Sequence, residues 1–229
     1  MKFLSDGNLD LTPLTNEHVS QEYLSWLNGE KERRWRGPKA FPSTQSDIYV
    51  YIGSARGHDR LILAIVGEKK HVGNIALYPI DWVHRTAEVS ILIGAEHQRK
   101  RYGFRAIGLI AKHAFESMGL YRLWAESPNP AFGKLMERLG WSHEGTKREA
   151  FLLDGQRADV HCWGMLARDF IYFRPQAREG IQGVVPKNPL EAGFRKIESG
   201  QFTQGKGRAD EWSIGRKQDA TWGLLNQTG

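Results

Sequence analysis

The segment with the clearest capacity for chemistry is 94–103, GAEHQRKRYG. It holds three consecutive basic residues, 99–101, and Gly103, which lacks a Cβ and therefore lets a ligand approach the backbone. The sequence predicts a helix that begins at Tyr102, and the first turn of a helix offers unpaired backbone N–H groups and a partial positive charge. These features favour an anion site, with a pyrophosphate as its natural ligand. A solvated basic loop that only connects two elements is the alternative.

Common phosphate-binding and nucleophile motifs do not occur in this sequence. Without GxxxxGK(S/T) there is no Walker-type nucleotide site, and without GxGxxG after a first strand there is no dinucleotide fingerprint. The nucleophile signature GxSxG is absent as well. Cys162 is the only cysteine, which excludes an intramolecular disulfide and a cysteine-based zinc site.

The elements that would position the basic segment follow from the spacing of apolar residues. A strand is expected over 87–93, before the segment, and an amphipathic helix over 102–118, after it. Two earlier apolar runs, 61–66 and 72–80, are connected to each other and to 87–93 by short polar links. This arrangement predicts an antiparallel meander. The other predicted elements are a strand within 9–14, helices over 16–26, 43–54 and 131–139, and strands over 121–125, 141–153 and 157–166, the last two joined by an Asp154-Gly155 turn.

Composition limits the class of protein. The 229 residues include 32 Lys and Arg against 26 Asp and Glu, a formal charge of +6 that helps to attract an anion. This excess falls short of the basic stripe of a nucleic-acid binder, so no nucleic acid partner is expected. No apolar run approaches the ~18 residues of a membrane span, and the N-terminal apolar stretch is too short for a secretory signal. The expected location is the cytoplasm, with no membrane partner.

The basic segment resembles the acyl-CoA-binding loop of the GNAT superfamily of N-acyltransferases, Q/R-x-x-G-x-G/A. The matching residues are Gln98, Arg99, Lys100, Arg101, Tyr102 and Gly103. A second stretch is similar to the N…EK-x-GF…EG…R signature of the RimJ/RimL-like branch. It consists of Asn129, then ERLGW over 137–141, then Glu144-Gly145 and Arg148. The order of predicted elements from about residue 9 to residue 170 fits the same fold.

This resemblance implies an α/β (α+β) domain over residues 1–172 with the GNAT-type acyl-CoA N-acyltransferase fold. Its mixed central sheet would have about six to seven strands flanked by helices. An irregular C-terminal extension, 173–229, would pack on this domain or on a partner subunit, the latter making a homodimer. The implied co-substrate is acetyl-CoA (coenzyme A), whose thioester the amine attacks directly, and the resemblance implies no metal.

By the same resemblance, coenzyme A would contact three parts of the chain. The backbones of Leu92 and Ile93 would hold the pantetheine arm, and Asn129 would contact the arm from the other side. The pyrophosphate would lie on the loop residues Gln98, Arg99, Lys100, Arg101, Tyr102, Gly103 and Phe104. The chain departs from the family where Arg101 occupies the first glycine position of the loop. It also departs where Phe132 replaces a frequent serine and Met136 replaces a frequent tyrosine general acid.

Glu88 is the expected catalytic residue. An amine with a pKa near 10 is mostly protonated at pH 7 and must lose a proton before it attacks. A carboxylate in an otherwise apolar strand can take that proton, directly or through a water. The alternative is a structural ion pair between Glu88 and Arg85. Asp81 and His84, in the preceding loop, either line the substrate entrance or are inert loop residues.

The acceptor is expected to be a small-molecule amine such as an amino sugar, including one linked to a nucleotide. The stretch 73–94 looks most like GNAT proteins of sugar-modification pathways, and Trp26, Trp35 and Trp82 could stack on a base or a sugar. Polyamines and antibiotics are other small amines of the same class. Two alternatives remain open: the α-amine of a peptide N-terminus, and a non-catalytic acyl-CoA-binding module.

Overall fold

The computed structural model describes residues 1–30, 34–35, 41–55 and 57–170. The predicted extension 173–229 and most of the charged run 30–37 lie outside these residues, so the domain boundary at 172 stays a prediction. Within the described part of the chain, no helix combines the length and the apolar character needed to cross a membrane.

An eight-stranded sheet organises the described residues, in the order β1-β2-β3-β4-β5-β6-β8-β7. The strands are β1 (Leu4–Asp6), β2 (Leu9–Pro13), β3 (Leu61–Gly67), β4 (Lys70–Asp81), β5 (Thr86–Ile93), β6 (Arg122–Ser127), β7 (Ser142–Leu153) and β8 (Gln156–Leu166). The sheet exceeds the expected six to seven strands because the short β1 pairs with β2 at its edge. The antiparallel meander of β3, β4 and β5 is confirmed.

Helices cover both faces of the sheet. They are α1 (Gln21–Asn28), α2 (Gln45–Ser54), α3 (Tyr102–Glu116) and α4 (Pro130–Arg138). On one face, α1 and α2 bury Tyr23, Trp26 and Ile48 against Leu92 of β5. On the other face, α3 buries its apolar stripe in the main core, which the central strands and Met136 of α4 complete. Successive residues of β5 therefore face different helix layers, as the period of a strand requires.

Local signals decide where α1 and the last hairpin form. The helix predicted over 16–26 starts later, because the Ser20 hydroxyl accepts a hydrogen bond from the backbone N–H of Tyr23 at 3.0 Å and caps α1. Residues Asn16–His18 form a separate 3-10 turn. The predicted turn between β7 and β8 is confirmed. Asp154 and Gly155 have φ values of +49° and +81°, the left-handed pair that a type I′ hairpin needs.

The parallel pairing of β5 with β6 is short. Its register pairs are Thr86↔Arg122, Ala87↔Leu123 and Glu88↔Trp124. Beyond them, β5 continues along β4 as far as Ile93, and β6 continues along β8 as far as Ser127. The two strands therefore separate after Glu88 and leave a gap in the sheet at their carboxyl ends.

Candidate active site

The gap between β5 and β6 exposes main-chain groups of β5. The N–H of Gly94 donates to the carbonyl of Val72 at 3.1 Å, which makes these two residues a hydrogen-bonded pair of the antiparallel ladder. Since such pairs alternate with non-bonded ones, the main chain of Leu92 also faces β4, whereas that of Ile91 and Ile93 faces the gap. Of the two residues predicted to hold the pantetheine arm, Ile93 therefore turns its main chain toward the gap and Leu92 turns its main chain toward β4.

The basic loop bends sharply before α3. Arg99 and Arg101 both have a φ of +62°, a left-handed conformation that costs a residue with a side chain roughly 1 kcal/mol. At Arg101 this conformation explains why the related loops carry glycine there. A left-handed residue followed by helical Tyr102 also turns successive N–H groups toward one concave side, which is an anion-binding geometry.

The first turn of α3 offers free hydrogen-bond donors. Among the described residues, no acceptor meets the backbone N–H of Tyr102, Gly103 or Phe104, and the first N–H to bond back is that of Arg105, to the carbonyl of Arg101 at 3.1 Å. No side chain caps this helix. Three N–H groups at a helix N-terminus, beside the cations of the loop, fit a diphosphate. The site thus has the chemistry that coenzyme A requires.

Tyr102 anchors the start of α3 with its side chain. The ring is 6% exposed and lies over Gly67 of β3, where an added Cβ would come within 2.6 Å of it. Burial raises the pKa of the Tyr102 hydroxyl. The side chain points into the core, so Tyr102 offers the loop its N–H. Gly103 lies opposite Leu135 of α4, 3.5 Å from the place of an added Cβ, and is not required by steric crowding.

Asn129 and Gln98 lie at the two sides of the gap. The Asn129 side-chain oxygen accepts a hydrogen bond from the N–H of Ala131 at 2.9 Å and caps α4. Its amide NH₂ remains as a hydrogen-bond donor. Across the gap, the Gln98 amide donates to the carbonyl of Ile93 at 3.2 Å. The Ile93 carbonyl therefore accepts a hydrogen bond from the gap side, as the strand pairing indicates.

Glu88 is partly buried and is the last residue of β5 that pairs with β6. Burial is the main cause that raises its pKa, the nearby Glu126 carboxylate raises it further, and the Lys147 ammonium opposes the rise. Among the described residues Glu88 forms no ion pair, so the predicted alternative of a bridge to Arg85 does not occur there. Arg85 instead accepts a backbone hydrogen bond from Tyr121 N–H at 2.7 Å.

Sequence reasoning missed the partners of Glu88. Lys147 of β7 forms an ion pair with Glu126 of β6, and the Cys162 thiol of β8 lies 3.9 Å from the same carboxylate. This ion pair raises the pKa of Lys147. The signal for Glu126 was present, since Arg122, Trp124 and Glu126 alternate with apolar residues. The predicted strand ended one residue too early to include it.

A cavity of about 380 Å³ lies between the α1/α2 layer and strands β4 and β5. Its lining combines aromatic, small polar and apolar side chains from Tyr23, Leu27, Ser43, Asp47, Ile48, Tyr51, Asn74, Ile75, Ala76, Ser90, Ile91 and Leu92. Ser90 and Leu92 lie on the same face of β5 as Glu88. Among the described lining residues, Asp47 is the charged one at pH 7, and its hydrogen bonds with Thr44 lower the pKa of its carboxyl.

Other predicted site residues are placed differently. Trp26 is 2% exposed within the core, so it cannot stack on a substrate. Trp82 is 49% exposed and donates its indole N–H to the carbonyl of His58 at 2.7 Å.

Asp81 is a turn residue, because its carboxylate accepts hydrogen bonds from the N–H groups of Val83 and His84 at 2.9 and 2.8 Å. Met136 is fully buried, and this position supplies no proton to a leaving thiolate.

Residues 8–142 match the acetyltransferase (GNAT) domain family. A curated relative is the spermidine N(1)-acetyltransferase of Escherichia coli, 29% identical over 155 residues, which span 66% of this chain and 82% of the relative.

Two solved structures share the fold. One is spermidine N-acetyltransferase from Vibrio cholerae in complex with CoA and spermine, with a TM-score of 0.64, 21% identity, and coverage of 72% of this chain and 98% of that chain. The other is a ribosomal-protein α-N-acetyltransferase in complex with coenzyme A, with a TM-score of 0.64, 14% identity, and coverage of 69% and 94%. At these identities the likeness concerns the fold. The family match, the split sheet and the donor-rich start of α3 agree: the chain belongs to the GNAT family and is an acetyl-CoA-dependent N-acetyltransferase.

Proposed function

We propose that the acceptor is a small, positively charged primary amine and that Glu88 is the general base. The observation that carries this proposal is the partly buried Glu88 carboxylate at the point where β5 and β6 separate, with the Glu126–Lys147 ion pair beside it. The Glu88 carboxylate attracts an ammonium group and can accept its proton. The raised pKa of Glu88 brings its basicity closer to neutral pH, where a general base is most effective.

The cofactor side of the site completes the geometry. The N–H groups of Tyr102, Gly103 and Phe104 bind the diphosphate, and Arg99 and Lys100 add charge beside it. The main-chain groups of Ile91 and Ile93 bind the amides of the pantetheine arm, with the Gln98 amide giving way to the ligand at Ile93. This path brings the thioester to the end of the β5–β6 pairing, next to Glu88.

The cavity between the α1/α2 layer and strands β4 and β5 is the acceptor cavity in this proposal, and its charge favours a cationic amine within the small-molecule class. A nucleotide-linked amino sugar carries a diphosphate that needs cations, and the described lining offers the anion Asp47 instead. The curated relatives named for spermidine support a polyamine as the acceptor. Among small-molecule amines, we therefore place polyamines before amino sugars.

A protein N-terminus is the second candidate function. The stretch that begins at Asn129 resembles the RimJ/RimL-like signature, and a fold neighbour acts on a ribosomal protein. An N-terminal α-amine has a lower pKa, about 8, and depends less on a strong base. Its activity should therefore be less sensitive to the loss of Glu88.

A panel assay distinguishes these acceptors. Release of the coenzyme A thiol should be measured with spermidine, spermine, free and nucleotide-linked amino sugars, and peptides with free N-termini. We expect the highest kcat/KM with a polyamine, and a loss of about 100-fold for Glu88→Gln. Asp81→Asn is the matched control and should retain full activity, because Asp81 serves a turn. Turnover of peptides alone, or binding of coenzyme A without turnover of any amine, would contradict the proposal.

A second experiment tests the loop. Arg99→Ala with Lys100→Ala should weaken the binding of coenzyme A by about tenfold or more, and should leave a pantetheine analogue without phosphates nearly unaffected. Lys112→Ala is the control, since Lys112 pairs with Glu116 farther along α3. Equal losses for both ligands would show that the loop does not bind the phosphates.

A further inference from the structure

A second cavity lies beside the start of α1, apart from the acceptor cavity. Its volume is about 380 Å³, and its lining is mostly ionisable: Glu17, His18, Ser20, Glu22, Lys70, His71 and His97. Glu96 adjoins His97 in the 3-10 turn Ala95–His97, at the start of the basic segment 94–103. Neither the acetyl transfer nor the binding of coenzyme A, as argued above, uses this group of side chains.

Three of these side chains converge on one point. The Nε2 atom of His97 lies 3.2 Å from Glu22 Oε1 and 3.5 Å from Glu96 Oε1, and the three ligand atoms all lie within 4.8 Å of one another. A charge-assisted hydrogen bond is shorter, about 2.7–2.9 Å, and one ring N–H cannot donate well to two carboxylates. Atoms bound tetrahedrally to a metal at about 2.0–2.1 Å are separated by roughly 3.3 Å, close to the two observed distances.

The surroundings hold these ligands in place. The indole N–H of Trp26 donates to Glu96 Oε1 at 2.8 Å, and the Trp26 ring meets the His97 ring edge-on at 5.9 Å between centroids. Trp26 is itself 2% exposed and therefore fixed. A buried donor that orients a carboxylate ligand is the usual outer partner of a metal site. His97 is 11% exposed, so its ring has little freedom to turn away.

We infer that Glu22, Glu96 and His97 bind a divalent transition-metal ion, with water in the remaining coordination position. A set of one imidazole and two carboxylates suits Zn²⁺ and similar first-row transition-metal ions. It suits Mg²⁺ and Ca²⁺ less well, because these two ions prefer oxygen ligands alone. His18 and His71 line the same cavity, but their ring nitrogens are hydrogen-bonded to Thr15 and to Asn74, so the ligands are Glu22, Glu96 and His97. The ion would join α1, which lines the acceptor cavity, to the turn before the coenzyme A loop.

Direct titration of the full, untagged chain with Zn²⁺ tests this site without reference to enzyme activity. Competition with a chromogenic chelator should show one high-affinity ion per chain, and Zn²⁺ should raise the Tm. His97→Gln and Glu96→Gln should each weaken Zn²⁺ binding at least tenfold. His161→Gln is the matched control. This variant removes one member of another histidine pair, in which His143 Nε2 lies 3.3 Å from His161 Nδ1. It should bind Zn²⁺ with full affinity.

Glu22→Gln keeps the test decisive if the turn variants fold poorly. Glu22 is 55% exposed, so its replacement should leave the fold and the metal-free Tm unchanged while Zn²⁺ affinity falls. Absence of stoichiometric Zn²⁺ binding would overturn the inference and identify the cluster as a hydrogen-bond network of the protein alone. Binding that is lost in His161→Gln and kept in Glu22→Gln would also overturn it, because the ion would then occupy the His143/His161 pair.

Discussion

At the scale of single residues, Glu88 owes its chemistry to neighbours that are distant in the sequence. Burial and the Glu126 carboxylate raise its pKa, and the Lys147 ammonium lowers it. As the proposed general base, Glu88 must be deprotonated to act, so kcat/KM should increase with pH as the solution passes the raised pKa of Glu88. The two neighbours should then determine where on the pH axis this increase lies.

Replacing each of these two neighbours in turn should shift the pH profile of kcat/KM, in opposite directions for the two variants. Glu126→Gln removes a negative charge near Glu88, which lowers the Glu88 pKa and moves the increase in kcat/KM to lower pH. Lys147→Met removes a positive charge and moves it to higher pH. Profiles of kcat/KM measured at a constant ionic strength check this, with Glu116→Gln on α3 as the control. Unshifted profiles for both variants would remove Glu88 as the titrating base.

Arg101 stores backbone strain at the entrance to α3. Because its φ is +62°, Arg101→Gly should increase the free energy of unfolding by about 1 kcal/mol. Urea unfolding measures this change. Arg105→Gly, within the helix and bonded to Asp6, should instead destabilise the protein. A destabilised Arg101→Gly would mean that side-chain contacts outweigh the strain at this position.

At the scale of elements, the residue that caps α4, Asn129, is also the one proposed to contact coenzyme A, and the two roles can be separated. Asn129→Asp keeps the oxygen that caps α4 and loses the amide donor, so the KM for acetyl-CoA should rise roughly three- to tenfold with little change in Tm. Asn129→Ala should raise KM and also cost about 1 kcal/mol of stability through the lost cap. Steady-state kinetics and thermal melts separate the two effects. An unchanged KM in Asn129→Asp would leave Asn129 as a cap alone.

The contact of α1 with the end of β5 depends on the absence of a side chain at Gly94. An added Cβ would overlap the Trp26 indole, so Gly94→Ala should destabilise the protein by about 1–3 kcal/mol. Gly53→Ala, on α2 with nothing within 4 Å of the added Cβ, should stabilise it by roughly 0.5–1 kcal/mol. Urea unfolding of both variants, with Trp26→Phe as a partial rescue of Gly94→Ala, checks this. Equal stabilities of the two would contradict the packing.

At the scale of the whole molecule, the split sheet couples folding to cofactor binding. In the proposed site, coenzyme A contacts β5, the basic loop and the start of α4 together, so it should protect the folded state. At about 100 times its Kd it should add roughly 2.7 kcal/mol of stability, which raises the Tm of a domain of this size by about 5–10 °C. Thermal melts with coenzyme A and with the phosphate-free analogue check this. No increase at millimolar coenzyme A would contradict the site.

Much of the fold was predictable, because it depends on local patterns. The meander of β3 to β5, the amphipathic α3 and the Asp154-Gly155 turn all follow from apolar spacing and turn chemistry. The short β1 was missed, since three residues carry too little periodicity to be recognised and their pairing with β2 is tertiary. The first helix begins at Gln21 and not at residue 16, because the Ser20 side chain caps it there. Apolar spacing alone did not reveal this start.

The resemblance to the family, the basic loop and the charge at Glu88 can be recognised in the amino-acid sequence, because they are properties of residue type and short spacing. Only the tertiary structure decided which main-chain groups of β5 face the gap, since the hydrogen-bond alternation depends on the register with β4. It also decided that Glu126 and Lys147 lie near Glu88, and that Trp26 is a core residue. Residues from three strands and a helix meet at these points through folding, and no local pattern in the chain encodes such long-range proximity.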